Sequence, residues 1–171
     1  MDPVPRLAWF SPIPPARTGV ATCSAELVAA LRTDHEIDVY FDHAQFRHLD
    51  PQRRPGHRTA GSTNGDLNAG AFSAHDFLWR HRLRPYDLVV YQLGNSAWHD
   101  FIWPYLFRFP GLTVLHDAHL HHARAAALLR EKRAADYRQE FVAAHPDAPK
   151  DLAELAIAGF DAHLYYSWPL T

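Results

Sequence analysis

Histidine and aspartate crowd one stretch of this chain, His116-Asp117-x-His119-x-His121-His122, directly after the apolar run Leu112-Thr113-Val114-Leu115. Near neutral pH an imidazole can pass a proton, hydrogen-bond a phosphate or a sugar hydroxyl, or ligate a metal. Zinc is held by such side chains, but this spacing matches no tetrahedral zinc pattern, and side chains two apart on a helix diverge. No metal is assigned. His116, read as the last position of a buried strand, points into whatever cleft the strand ends border and is the candidate catalytic residue. The plain alternative is a structural histidine capping a strand. Asp117 joins His116 at the cleft as a candidate ligand contact, while His119, His121 and His122 start a helix and serve ligand contact or packing.

A second polar cluster, Gln92, Asn95, Ser96, His99 and Asp100, lies beside the aromatics Tyr91 and Trp98. Amides, hydroxyls and imidazoles among aromatic rings suit a polyhydroxylated ligand, so Asn95, Ser96 and His99 are candidate contacts for one. Equally, Ser96 serves as a helix cap and Asp100 as a first-turn acid. A third feature is Thr18-Gly19, where Thr18 caps a helix and the glycine lets backbone N–H groups approach an anion. A helix start that needs a small residue explains Gly19 as well. Neither a GxGxxG fingerprint nor a GxxxxGK[ST] loop is present.

The elements that must position these groups can be read from periodicity. Leu7 to Phe10 reads as a first strand, ended by the proline-rich loop Ser11 to Gly19. From Gly19 to Arg32, Val20, Cys23, Leu27 and Leu31 recur at helical spacing and predict the buried face. Ile37 to Phe41 alternates and ends in Asp42-His43, a second strand. Residues Asp50 to Gly70 carry few apolar groups and read as a mobile surface loop. Ala74 to Arg84 is a short helix with a basic run, Arg80-His81-Arg82-Leu83-Arg84. Asp87 to Leu93 is the strongest strand, apolar on both faces as a central parallel strand requires. Trp98, Phe101, Ile102, Tyr105, Leu106 and Phe109 form a helical stripe that Pro104 should kink near Trp103. Leu112 to Leu115 is the next buried strand. Helices follow over Ala123 to Leu129, Arg133 to Ala144 and Leu152 to Ile157. The alternation means an α/β, Rossmann-like, doubly wound and mostly parallel sheet with additional C-terminal helices, and right-handed crossovers gather the candidate loops along one edge.

Bulk properties bound the rest. The 171 residues suffice for a single domain, 1–171, and 47% hydrophobic against 21% charged residues is ordinary for a packed globular chain. A formal charge of -2 and scattered arginines argue against nucleic acid as a partner. The single cysteine, Cys23, excludes a disulfide framework and suits a reducing compartment. Met1 to Arg6 does not read as a signal peptide, and no apolar run approaches the ~18 residues that span a bilayer. A cytoplasmic location is the expectation. The basic run Arg80 to Arg84 admits peripheral membrane contact, with a solvated helix face as the ordinary explanation. Tyr165, Tyr166 and Trp168 are read as exposed aromatics at a terminus, a surface for association and a sign of a chain cut short.

Three blocks, Phe10-Ser11-Pro12-Ile13-Pro14-Pro15-Ala16-Arg17-Thr18-Gly19-Val20, Tyr91-Gln92-Leu93-Gly94-Asn95-Ser96-x-x-His99-Asp100 and Leu115-His116-Asp117-x-x-Leu120-His121-His122, resemble the N-terminal, acceptor-side domain of GT-B-fold, family-4-type retaining glycosyltransferases. The resemblance runs from about Leu7 onward, apart from the Asp50 to Gly70 loop. It implies two Rossmann-like domains facing across a cleft, the first binding a hydroxyl acceptor and the second a nucleoside-diphosphate sugar. The reaction implied is sugar transfer with retention and without an obligatory metal, and no cofactor is expected. Thr18 and Gly19 would then approach the donor diphosphate, His116 would lie near the transferred sugar, Asn95 and His99 would match acceptor-side positions, and Ser96, Asp117 and His119 beside them would join the acceptor contacts. The family's C-terminal domain, with its Glu-containing donor motif, is absent here, so donor and acceptor are expected as partners only together with that domain. This chain alone is expected to be inactive. Two other readings stand beside it: a non-enzymatic interaction module on the same fold, and a metal-dependent hydrolase built on His116, Asp117 and His119.

Overall fold

The computed structural model describes residues 4–45, 70–160 and 163–170. The Asp50 to Gly70 loop, Gly70 apart, lies outside the described residues. The chain divides into two compact units, Met1–Leu93 with Phe101–Val114, and Gly94–Asp100 with Leu115–Thr171.

The first unit is built on strands β1 (Arg6–Phe10), β2 (Glu36–Phe41), β3 (Ala71–Ser73), β4 (Leu88–Leu93) and β5 (Leu112–Leu115). They form one all-parallel sheet in the order β3-β2-β1-β4-β5. β1 is central, with Leu7 opposite Ile37 on one side and Leu88 on the other. The fold is α/β and Rossmann-like, and its strand order reverses between β1 and β4, the position where open sheets of this kind bind ligands.

Side-chain alternation gives the sheet two different faces. Leu7, Trp9, Ile37, Val39, Phe41 and Val90 build an apolar face that packs on Val28 of helix α1 (Gly19–Leu31). Phe10, Tyr40 and Tyr91 turn to the other face. There Phe10 meets Phe77 of α2 (Phe77–Leu83) and Tyr105 of α3 (Trp103–Leu106) at ring separations of 5.0 and 4.9 Å. Helices thus cover both faces. Beside the rings sits a buried polar knot: Asp38 accepts from Arg6 at 2.8 Å, Arg80 at 3.1 Å and the Tyr86 hydroxyl at 2.5 Å. Tyr86 in turn accepts from Tyr40 at 2.5 Å. Two cations on one carboxylate, with a phenol completing the shell, satisfy what burial would otherwise leave costly.

The structure departs from the sequence reading at several elements. The buried face of α1 is Ala21, Ser24 and Val28, not Val20, Cys23 and Leu27. Ser24 faces inward because its hydroxyl bonds Ser11 Oγ at 2.7 Å and accepts from Trp9 Nε1 at 3.3 Å, and a buried serine is invisible to a hydrophobic pattern. β3 is a fifth strand, too short for periodicity to reveal. β5 is not a buried strand: it forms the sheet edge, where Leu112 and Leu115 are 52% and 49% exposed. Pro104 kinks nothing, because it falls in the first turn of α3, where a proline costs no hydrogen bond; a 3-10 stretch, Ala97–Ile102, precedes it. The basic run of α2 is a solvated face only in part, with Arg82 and Arg84 exposed. Arg80 and Arg84 turn to Asp38 and Glu36, and His81 accepts from the Tyr86 N–H at 3.2 Å, while Leu78, Trp79 and Leu83 are left exposed.

The second unit is helical: α4 (His121–Arg130), α5 (Ala134–Ala144), α6 (Asp151–Ile157) and α7 (Leu164–Ser167). Ala125, Leu128, Phe141, Ala153 and Ala156 form its core, and bidentate Arg124–Glu140 and Arg138–Glu154 pairs tie α4 to α5 and α5 to α6. Two of the C-terminal aromatics, Tyr165 and Trp168, are not free at the surface. Tyr165 and Leu170 are buried in this core and Trp168 packs against it, so these two rings are not the exposed groups the sequence reading expected.

Candidate functional site

Three loops carry the candidate residues. The first follows β1. Its entry is fixed by the Ser11 N–H bond to the Tyr40 carbonyl at 3.1 Å and by burial of Ile13 and Ala16. Its exit is fixed by Thr18, whose extended backbone and hydroxyl cap α1, accepting from the Ala21 N–H at 3.1 Å. Gly19 then opens the helix, and a Cβ placed there would meet nothing within 4 Å. Packing therefore does not require glycine at this position, and the open side is what an approaching anion would use. Thr18 and Gly19 both belong to the first unit.

The other two loops belong to the second unit, and the structure knits them together. Gly94 is buried, and a Cβ on it would stand 2.8 Å from His99 Nε2 and 3.3 Å from Asp117 Oδ2, so glycine is what lets both side chains close on this turn. The Asn95 N–H donates to Asp117 Oδ2 at 2.8 Å, and Asn95 Oδ1 accepts the Ala123 N–H at 2.8 Å, capping the first turn of α4. Neither Leu120 nor another N-cap side chain does that work. Ser96 contributes its carbonyl to the His99 N–H at 3.1 Å. His99 is buried. Asp100 accepts from Arg130 at 2.8 Å, and burial pushes its carboxyl above the usual carboxylate range.

His116 follows the last residue of β5 and, with Asp117 and His119, is exposed. Its expected setting at the end of a buried strand is corrected accordingly: it leaves an edge strand. His121 has the opposite fate. It is fully buried, its Nε2 lies 2.8 Å from the Tyr137 hydroxyl, its Nδ1 bonds the Trp168 carbonyl, and burial lowers its pKa to about 4. One cluster of histidines in sequence is thus split into exposed groups at the loop and a neutral buried one in the helix. Among the described residues, no three His, Cys, Asp or Glu side chains are grouped to hold a metal ion.

Asn95, His99 and Asp117 come together around Gly94, to which the sequence reading gave no role, and Asn95 and Asp117 spend hydrogen-bonding groups on loop architecture. The sequence reading missed the tie from Asp100 to Arg130 and that of His145 to the Pro169 carbonyl, at 2.7 Å. Both partners lie more than 20 residues away in sequence, beyond any local signal. No protein-family model matches the chain, and neither a curated protein nor a solved structure is found similar to it.

Proposed function

We propose that this chain is the acceptor-binding half of a retaining, family-4-type glycosyltransferase, which transfers a sugar from a nucleoside-diphosphate donor to a hydroxyl. The observation that carries the reading is the Asn95–Asp117 bond. It joins the second and third motif blocks, separate in sequence, into one polar turn that presents the exposed His116, Asp117 and His119. Support also comes from the strand order, whose reversal falls between the strands that lead into the first two blocks, and from the unfilled space at Gly19. In this reading His116 hydrogen-bonds the sugar hydroxyls at the reacting centre, and its imidazole can hold or pass the acceptor proton. Asn95, Ser96 and His99 shape the acceptor side, with Asp117 fixing their turn. Thr18 and Gly19 offer backbone N–H groups to the diphosphate. Donor binding needs the second domain of the fold, on the same polypeptide or a partner. A cytoplasmic location follows, since nucleotide sugars and a lone cysteine suit it; among the described residues no helix is long and apolar enough to cross a membrane.

The test is transfer of radiolabelled sugar from a panel of nucleotide sugars by the complete encoded polypeptide, wild type beside His116→Ala. A loss of two or more orders of magnitude in kcat with intact folding is expected, the size typical of a positioned acid–base or polarising group (about 100-fold or more). Unchanged turnover would remove His116 from the mechanism.

A further inference from the structure

The last described segment, α7 and residues 168–170, is held to the second unit in an unusual way. Three successive carbonyl oxygens, those of Trp168, Pro169 and Leu170, each accept from a donor elsewhere in the unit: His121 Nδ1, His145 Nε2 at 2.7 Å and the Leu120 N–H at 3.2 Å. Tyr165 adds its ring over His121 at 4.6 Å and beside His122 at 5.5 Å, and the Trp168 ring meets His145 at 5.3 Å. Carbonyls only accept, so His121 carries its proton on Nδ1 and His145 on Nε2. The remaining His121 nitrogen, Nε2, then accepts from the Tyr137 hydroxyl at 2.8 Å.

We infer that this segment is an acid-released strap, latched by neutral His121, whose opening frees Leu120 and the adjoining His116–His119 loop. A second proton on His121 has to sit on Nε2, facing a phenol that must turn round to accept it. The groups facing this imidazole are Tyr137 and His145 from α5 and its C-terminal cap, Tyr165 from α7 and His122 from α4. None is a carboxylate, so the cation would be buried without a counter-charge, with His145 opposing it further. Burial holds the pKa near 4, so opening, not titration in place, relieves the charge. The strap is the part that yields. α4, α5 and α6 keep Leu128, Ala153 and Ala156 and the Arg124–Glu140 and Arg138–Glu154 pairs without it. The consequence for acceptor binding rests on the glycosyltransferase reading; the latch does not.

Hydrogen exchange of the full chain, without ligand, tests the latch. Protection factors for residues 163–170 and for the Leu120 amide should fall about tenfold or more between pH 7 and pH 4.5, while amides of α5 and α6 keep theirs. His121→Gln keeps a donor for the Trp168 carbonyl and an acceptor for Tyr137 but cannot titrate, so its strap should show the same protection at both pH values. Should that variant fold poorly, an NMR titration of the wild-type His121 ring serves instead, with protonation and strap release sharing one midpoint below 6.5. Strap protection that ignores pH, an equal loss in His121→Gln, or simultaneous loss throughout the second unit would each overturn the proposal. None of these readouts depends on glycosyl transfer, so a failed transfer assay leaves them intact.

Discussion

Gly19 and Gly94 show how one residue type serves opposite ends. At Gly94 a side chain has no room, because His99 Nε2 would lie 2.8 Å from it; at Gly19 a side chain has all the room it wants. Gly19→Ala should therefore leave stability unchanged or raise it by about 0.5–1 kcal/mol, as removing a flexible residue from a helix does. If the open side serves a diphosphate, the same variant of the complete enzyme should lose donor affinity, read as a rise in KM. Asp38 is a different kind of singular residue. Asp38→Asn leaves Arg6 and Arg80 buried beside a neutral amide and should cost on the order of 3 kcal/mol in denaturant unfolding. His121 makes stability depend on pH. Its pKa falls from an ordinary 6.5 to about 4 on folding. Below 6.5 the unfolded chain therefore binds the extra proton, and the native state does not until about pH 4. The stability it protects is complete above 6.5 and is lost as pH falls toward 4, a loss on the order of 2 kcal/mol. Denaturant midpoints measured across that window should track it, and His121→Gln should flatten the profile.

Element by element, the sequence was legible where one periodicity dominated. β1, β2, β4 and helices α4, α5 and α6 fall where alternation and helical spacing predicted them, within a residue or two, whereas α7 was not foreseen. What periodicity hides is polarity used internally. Ser24 belongs to the buried face of α1 because Ser11 and Trp9 need it, and Arg80 turns inward because β2 offers Asp38. Residue type alone assigns both to solvent. The β4–α3–β5 connection carries a further constraint, since a Cβ on Gly111 would stand 2.2 Å from the Val89 carbonyl oxygen. Backbone cannot yield there as a side-chain tip can. Gly111→Ala should cost about 2 kcal/mol or more by overpacking, seen as a lowered thermal midpoint of the first unit.

At the scale of the whole molecule, topology is the part that sequence order alone nearly dictates. Parallel strands joined by right-handed helical crossovers leave few arrangements, and the observed β3-β2-β1-β4-β5 is one of them. The candidate site was legible as three blocks of residues but not as a set of contacts. Asn95 finds Asp117 and Ala123 across 22 and 28 residues, and nothing local to either block announces that pairing. The most direct test of the glycosyltransferase reading is an amide NMR titration of this chain with mono- and disaccharide acceptors and, separately, with nucleotide sugars. Saccharides should shift the amides of Asn95 to His99 and of His116 to His119, and nucleotide sugars should bind far more weakly and near Thr18 and Gly19. A chain whose Asn95–His99 and His116–His119 amides ignore every saccharide would contradict the account.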